Sequence, residues 1–118
     1  MSLPGFGIWP LNRYARVEVY GGFAQYSEGF QNDALEQAVF AESVGIDSYN
    51  IGEHYRPDFM DSAAHVMLAA IAGRTNRIRL GTAVTVLSTQ DPVRVYTDFA
   101  TLDAVSNGRA QLIVGRGS

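Results

Sequence analysis

Helical and strand-like segments alternate along the second half of this chain, and the alternation constrains its fold more than any other feature. Apolar residues recur at helical spacing in 32–44, in 63–74 and in a third segment that begins at Asp91-Pro92 and is broken at Asn107-Gly108. Apolar, strand-like segments lie at 48–52, 78–87 and 110–114. Strands and helices that alternate through short connections indicate a parallel sheet with helices packed outside. We therefore predict an α/β protein with about four strands and three helices.

Local signals refine the helices. Asn32 or Asp33 can cap the first helix, Gly45 can end it, and Asp61-Ser62 can open the second. The predicted core faces are Val66, Met67, Ala70 and Ile71 in the second helix, and Val95, Phe99 and Leu102 in the third.

The first strand has two candidates, residues 6–9 and residues 16–20. We favour 6–9. This choice leaves a long loop, 10–31, that carries several aromatic residues, and long loops in compact domains are often functional.

Composition removes several classes of function. The net charge is −3, which argues against a nucleic-acid partner. All nine basic residues are arginine, so a lysine nucleophile is excluded. There is no cysteine, no signal peptide pattern and no apolar run of about 20 residues, so we expect a cytoplasmic protein with no membrane partner.

Polar groups follow three of the predicted strands. The second strand runs into Glu53-His54-Tyr55-Arg56, the third into 82–85, and the fourth into Gly115-Arg116-Gly117-Ser118. The carboxyl ends of parallel strands share one rim, where α/β proteins place their working groups. Histidine there can act as an acid or base, and a Gly-Arg-Gly-Ser nest suits phosphate.

Structural interpretations remain open for the same residues. His54 can cap a backbone carbonyl while Glu53 pairs with Arg56 or Arg79, and Arg116 can lie in an ordinary turn. His65 is interpreted as a helix-face residue. The spacing of His54, Asp58 and Asp61 matches no metal site, so we predict none.

Several segments together resemble the bacterial-luciferase-like, flavin-dependent monooxygenase family over roughly residues 35–118. They are AxxAExxGxD at 38–47, GEHYRPD at 52–58, TNRIRLGTAVTVL at 75–87, DPVRV at 91–95, LD at 102–103, SxGR at 106–109 and VGRGS at 114–118.

The resemblance implies a (β/α)₈ barrel that uses reduced FMN, or in some branches a deazaflavin, with oxygen to oxidise an organic small-molecule substrate. A separate flavin reductase would supply the reduced flavin. By this resemblance, His54 matches the family's active-site histidine and Glu53 matches the acid beside it. Ala83-Val84 matches the strand end that lies against the isoalloxazine, where some members have a non-proline cis peptide. Arg116 matches an arginine near the flavin phosphate, and Ser118 lies close to that site. Many members have a second histidine at the position of Tyr55.

Length departs most from the family, because a (β/α)₈ barrel takes about 250 residues and this chain has 118. We interpret residues 1–118 as a single partial domain, the N-terminal half of such a barrel. We expect a fragment that closes its open side with a second copy or with the missing half, and that is inactive alone. The alternative is a non-catalytic flavin-binding or structural remnant of the same fold.

Overall fold

A computed structural model describes residues 18–21, 30–55 and 63–116, with backbone alone at 18–21 and 30–32. The three helices are α1 (Phe30–Ser43), α2 (Ala64–Ala72) and α3 (Pro92–Val105). The strands are β1 (Glu18–Gly21), β2 (Ser48–Ile51), β3 (Arg79–Thr82), β4 (Thr85–Val86), β5 (Ala110–Gln111) and β6 (Val114–Gly115). Strands and helices alternate, which confirms the predicted α/β class.

Four strands form one parallel sheet in the order β1-β2-β3-β5. Ser48 on β2 lies opposite Glu18 on β1 and Arg79 on β3, and Leu80 on β3 lies opposite Ala110 on β5. A second, two-stranded parallel sheet joins β4 to β6, with Thr85 opposite Val114. The described strands therefore all end in the same direction within their sheets, as a rim of strand ends requires.

The choice of first strand is corrected by the structure. The strand that pairs with β2 is Glu18–Gly21, which overlaps the alternative candidate, residues 16–20. It also lies inside the predicted long loop 10–31, so that loop is not a single connection. The favoured segment 6–9 lies outside the described residues. A strand that ends at Gly21 leaves a connection to α1 of ordinary length.

Of the four predicted helix ends that the structure describes, three follow local chemistry. Asp91 caps α3, since its Oδ1 accepts a hydrogen bond from the Val93 N–H at 2.8 Å, and Pro92 occupies the first turn. Asn107 and Gly108 end α3 with φ angles of 57° and 81°. Gly45, with φ 85°, ends α1 as predicted. The predicted start of α1 was wrong. The helix begins at Phe30, so Asn32 and Asp33 lie inside its first turn and do not cap it. The predicted opening of α2 at Asp61-Ser62 lies outside the described residues.

A hydrophobic core joins one face of the sheet to the helices. Tyr49, Ile51 and Leu80 contribute from the strands, and Val95, Phe99 and Leu102 of α3 are buried as predicted. The predicted face of α2 was partly wrong. Its buried residues are Ala64, Leu68, Ile71 and Ala72, Met67 is half-buried, and Val66 and Ala70 are exposed. Nearly every residue of α2 is apolar, so the spacing of apolar residues does not distinguish its buried face from its exposed face.

Two predicted strands are interrupted. Segment 78–87 divides into β3 and β4 at Ala83-Val84 and ends in a 3₁₀ turn, Leu87–Thr89. Segment 110–114 divides into β5 and β6, and it is not buried, since Leu112 and Val114 are exposed and the others are half-buried. Among the described residues no strand pairs with the outer side of β5. This edge position explains the exposure.

Glu42 ties the end of α1 to the turn before β3. Its carboxylate accepts hydrogen bonds from the backbone N–H groups of Asn76, Arg77 and Ile78 at 2.7–3.1 Å. Partial burial opposes ionisation, but the three backbone donors outweigh it and lower the pKa of Glu42 below its ordinary value. This residue of the sequence motif therefore has a structural role at the end of the sheet where the strands begin.

Arg109 performs a similar function beside β5. The side chain is buried, and its Nε donates to the Ser106 carbonyl at 2.7 Å. Nη1 donates to the Thr75 hydroxyl and the Ile78 carbonyl, and Nη2 to the carbonyls of Ala72 and Thr75, at 2.8–3.1 Å. The guanidinium thus satisfies carbonyls at the end of α2 and in the turn after it. Its five N–H donors are engaged by four backbone carbonyls and the Thr75 hydroxyl, which leaves none for a ligand.

Candidate active site

Three strand ends meet at one edge of the molecule. The Ala83 N–H donates to the Ile51 carbonyl at 2.8 Å, which joins the end of β3 to the end of β2. The Thr85 N–H donates to the Ile113 carbonyl at 2.7 Å, which joins the start of β4 to the segment before β6. The Thr82 and Thr85 hydroxyls lie 2.6 Å apart between these connections. The predicted convergence of the strand ends on one rim is confirmed.

The peptide bond between Ala83 and Val84 is cis. It lies between β3 and β4, at the position where the family resemblance implied such a bond. The Val84 side chain lies directly against Gly115, since a Cβ built on Gly115 would be 2.5 Å from Val84 Cγ2 and 3.1 Å from Val84 Cβ. No side chain fits at 115 without moving Val84. Gly115 therefore serves close packing on the cis segment, whereas the sequence suggested a phosphate nest.

Glu53 is held at the same rim by two side chains. It is buried, with 7% of its surface exposed. Its Oε1 accepts hydrogen bonds from the Tyr55 hydroxyl and from Gln90 Nε2, and Gln90 Nε2 also lies 3.2 Å from the Tyr55 oxygen. Gln90 directly follows the 3₁₀ turn after β4. The three side chains form a closed triangle between the end of β2 and the end of β4.

The triangle changes the acidity of Tyr55. Desolvation of the hydroxyl, its hydrogen bond to Glu53 and the negative charge of Glu53 together raise the pKa of Tyr55 to about 12, against an ordinary value of 10.0. Donation from Gln90 opposes the shift. Because 58% of the residue is exposed, we regard the contact with Glu53 as the more important cause. At neutral pH Tyr55 is a fixed hydrogen-bond donor and not a base.

For the other predicted site residues, the structure gives the position along the chain and the exposure of the side chain, or the residue lies outside the described ranges. His54 follows Glu53 and is half-buried. Arg116 directly follows β6 and is exposed. Ser118 and Gly117 lie outside the described residues, as do Arg56, Asp58 and Asp61. Within the described part of the chain, Glu53 forms no ion pair with Arg79, so that structural interpretation finds no support there.

Two residues of this site were missed from the sequence. Gln90 was not singled out, since it is 37 residues from its partner Glu53 and no local pattern links them. Tyr55 was named among the polar groups after the second strand and as a departure from the family, but it was given no role. The sequence did contain a signal for the role of Tyr55. An acid and a tyrosine two residues apart can form a hydrogen bond when both follow the end of a strand.

The face of the sheet opposite the helices is polar. Asn50 Nδ2 donates to the Ser48 hydroxyl at 2.9 Å, and that hydroxyl donates to Gln111 Oε1 at 3.0 Å. A Cβ at Gly81 would lie 2.6 Å from Asn50 Oδ1 and 2.6 Å from the Gln111 carbonyl. This differs from the near-continuous apolar strands expected of a parallel sheet with two covered faces.

A family model described as luciferase-like monooxygenase matches residues 19–118. This chain belongs to the luciferase-like monooxygenase family. The match begins at the second residue of β1 and includes every later strand and helix described above. The rim residues can therefore be compared with those of other family members. The α/β fold of this chain agrees with its membership of the family.

Individual relatives of this luciferase-like chain differ in what their names say of them. Protein y4vJ of Sinorhizobium fredii, which is uncharacterized, is 36% identical over 81% of this chain and 28% of its own. The F420-dependent glucose-6-phosphate dehydrogenase of Amycolatopsis mediterranei is 37% identical over 81% of this chain and 31% of its own. The oxygenating constituent of 3,6-diketocamphane monooxygenase from Pseudomonas putida, solved with FMN, is 28% identical with a TM-score of 0.74 over 80% of this chain and 26% of its own.

The luciferase-like chain therefore spans about a quarter to a third of the length of these relatives. Flavin and F420 enzymes both occur among them, which supports a flavin-type cofactor in the family without choosing one. Among the helices that the structure describes, none has the length and apolar character needed to cross a membrane.

Proposed function

We propose that this chain contributes the flavin-binding and proton-handling rim of a flavin-dependent monooxygenase that uses reduced FMN and oxygen on an organic substrate. One observation carries the proposal. The Ala83-Val84 segment packs on Gly115, which precedes Arg116, and the Ala83 N–H is hydrogen-bonded to the end of the strand that leads to Glu53 and His54. This arrangement supports a site in which backbone, cation, acid and imidazole come from separate strand ends.

The residues at this rim fit a flavin. A planar ring needs a fixed backbone to lie against, and the packing of Val84 on Gly115 holds the Ala83-Val84 backbone in place. A flavin phosphate needs a cation, and Arg116 is exposed beside that contact. Within the described ranges, the buried Oε2 of Glu53 has no hydrogen-bond donor. When bound, a flavin would supply the redox chemistry, which none of these side chains can perform.

Each residue has a proposed role. Ala83 and Val84 would lie along the ring, and Arg116 would bind the phosphate, with Ser118 beside it. His54 would transfer protons to and from the substrate, as histidine commonly does near neutral pH. Glu53 would orient the reacting groups next to His54. Tyr55 would remain protonated throughout.

Several partners follow from this proposal. The matched relatives are about three to four times longer than the part that this chain matches. We therefore propose that the remainder of the flavin site comes from outside the described residues, through a second copy or the missing barrel half. A flavin reductase would supply reduced FMN. If the cofactor is instead a deazaflavin such as F420, oxygen would not be the co-substrate.

Fluorescence titration with FMN, riboflavin and F420 tests the proposal. Arg116→Ala should weaken FMN binding about tenfold and leave riboflavin, which lacks the phosphate, unchanged. Arg94→Ala, at an exposed position of α3, is the matched control and should change neither. Equal loss for FMN and riboflavin would contradict the assignment of Arg116.

Oxygen uptake with reduced FMN separates an enzyme from the non-catalytic alternative. In the assembled protein, His54→Ala should abolish substrate-dependent uptake without abolishing flavin binding. Flavin binding with no substrate-dependent uptake in the unsubstituted assembly would favour a flavin-binding remnant.

A further inference from the structure

The two carboxylate oxygens of Glu53 have different surroundings. Oε1 accepts from both Tyr55 and Gln90. Oε2 is buried and accepts no hydrogen bond from the residues that the structure describes. A buried acceptor without a donor is costly, and such atoms in folded proteins are usually paired with protein, water or ligand. The difference between the two oxygens therefore requires an explanation.

The arrangement around Oε1 fixes the carboxylate. Tyr55 reaches it from the same segment, and Gln90 reaches it from the 3₁₀ turn after β4. Two donors from separate segments restrict rotation of the carboxylate, so Oε2 holds one direction. The Tyr55 hydroxyl donates its one hydrogen to Oε1, and Gln90 Nε2 donates one N–H to Oε1 and the other to the Tyr55 oxygen at 3.2 Å, so neither residue has a donor left for Oε2 in this arrangement. Tyr55 and Gln90 are thus positioning residues for the second oxygen.

A ligand that enters the rim is one source for a donor that the described residues do not supply. Glu53 is adjacent to His54 at the rim, and no arginine of the described ranges forms an ion pair with it. We infer that Oε2 of Glu53 accepts a hydrogen bond from the substrate, which therefore carries a hydroxyl or amino group near its reacting end. This inference rests on the proposed function, since it names the substrate class of the same site.

Carbon-13 NMR of the chain labelled at the glutamate carboxyls tests the inference. Glu53 is one of five glutamates, and Glu53→Gln assigns its signal. The probes are cyclohexanol, cyclohexylamine and cyclohexanone, which share one ring and differ in their donor. Cyclohexanol and cyclohexylamine should shift the Glu53 signal, and cyclohexanone should not. A larger response to the amine would identify a cationic donor, and an equal response would identify any O–H or N–H group.

Glu53→Gln should weaken cyclohexanol binding about tenfold or more, the factor expected for a hydrogen bond to a charged group. Glu36→Gln makes the same chemical change at an exposed position of α1 and should have no effect. The measurement on the unsubstituted chain stands even if Glu53→Gln fails to fold. Equal shifts from cyclohexanone and cyclohexanol, or no shift of Glu53 by either donor, would overturn the inference.

The parallel FMN titration separates this inference from the proposed function. If FMN binds through Arg116 but neither cyclohexanol nor cyclohexylamine shifts the Glu53 carboxyl signal, the inference fails and the flavin proposal stands. If the donors shift Glu53 and FMN does not bind, the donor site stands and the flavin proposal fails.

Discussion

Val84 occupies the space that a side chain at position 115 would need: a Cβ on Gly115 would lie 2.5 Å from Val84 Cγ2. Valine is stiff at χ1, so it cannot easily rotate away. Gly115→Ala should therefore destabilise the fold by about 1–3 kcal/mol, the usual cost of overpacking. Urea denaturation measures the change.

A double variant tests whether the clash is with Val84 itself. Val84→Ala removes the two γ carbons, so Gly115→Ala should cost distinctly less in that background. Gly73→Ala is the control, because its nearest atom would be a backbone oxygen at an ordinary 3.5 Å. Equal costs in both backgrounds would show that Val84 is not what restricts position 115.

Arg109 and Arg116 belong to neighbouring sequence motifs but should behave differently. Arg109→Lys should cost about 2–4 kcal/mol in stability, since buried carbonyls lose their donors and each costs about 1–3 kcal/mol. Arg116→Ala should leave stability unchanged and alter only FMN binding. Thermal and urea unfolding of both variants, with Arg94→Lys as an exposed control, checks this contrast. A stable Arg109→Lys variant would contradict the structural role of Arg109.

Glu42 should make stability depend on pH in the acid range. Its pKa is lowered on folding, so its contribution is present above the ordinary value of 4.5 and is lost as the pH falls through the folded pKa. Glu42→Gln should cost about 1–3 kcal/mol at neutral pH. The difference from the unsubstituted chain should shrink below pH 4.5. Denaturation at several pH values measures it, and Glu36→Gln on the same helix should show no such trend.

Tyr55 should titrate in the alkaline range with a midpoint near pH 12. Its pKa is raised on folding, so the stability it contributes is present below pH 10.0 and is lost as the pH rises toward 12. The difference in tyrosinate absorbance between the unsubstituted chain and Tyr55→Phe isolates this group. Glu53→Gln should lower the midpoint, because it removes the negative charge. A midpoint at 10.0 in the folded chain would rule out the contact with Glu53.

The sequence was most informative where structure is decided locally. The cap at Asp91, the break at Asn107-Gly108 and the buried face of α3 all depend on residues within a few positions of each other. The buried face of α2 was harder, because a helix of almost uniform apolarity gives no polar side to define it. The strand that pairs with β2 was misplaced because both candidate segments, 6–9 and 16–20, are short and rich in residues that favour strands.

In the candidate site too, the features set by local sequence were predicted and the long-range contacts were not. Convergence of the strand ends followed from the parallel arrangement, since the carboxyl ends of such strands share a rim. The contacts between Glu53 and Gln90 and between Val84 and Gly115 join residues more than 30 positions apart. Their pairing depends on how β4 and β6 leave the main sheet, and no local pattern encodes that departure.

The most direct test of the flavin rim is an assigned ¹⁵N–¹H NMR titration of the chain with FMN. We expect chemical shift changes at residues 52–55, 83–85 and 114–116, where the strands end. We expect none at 76–78 and 109, at the opposite end of the sheet. Shifts at 76–78 and 109, or no shifts anywhere at millimolar FMN, would contradict the claim that these strand ends bind the cofactor.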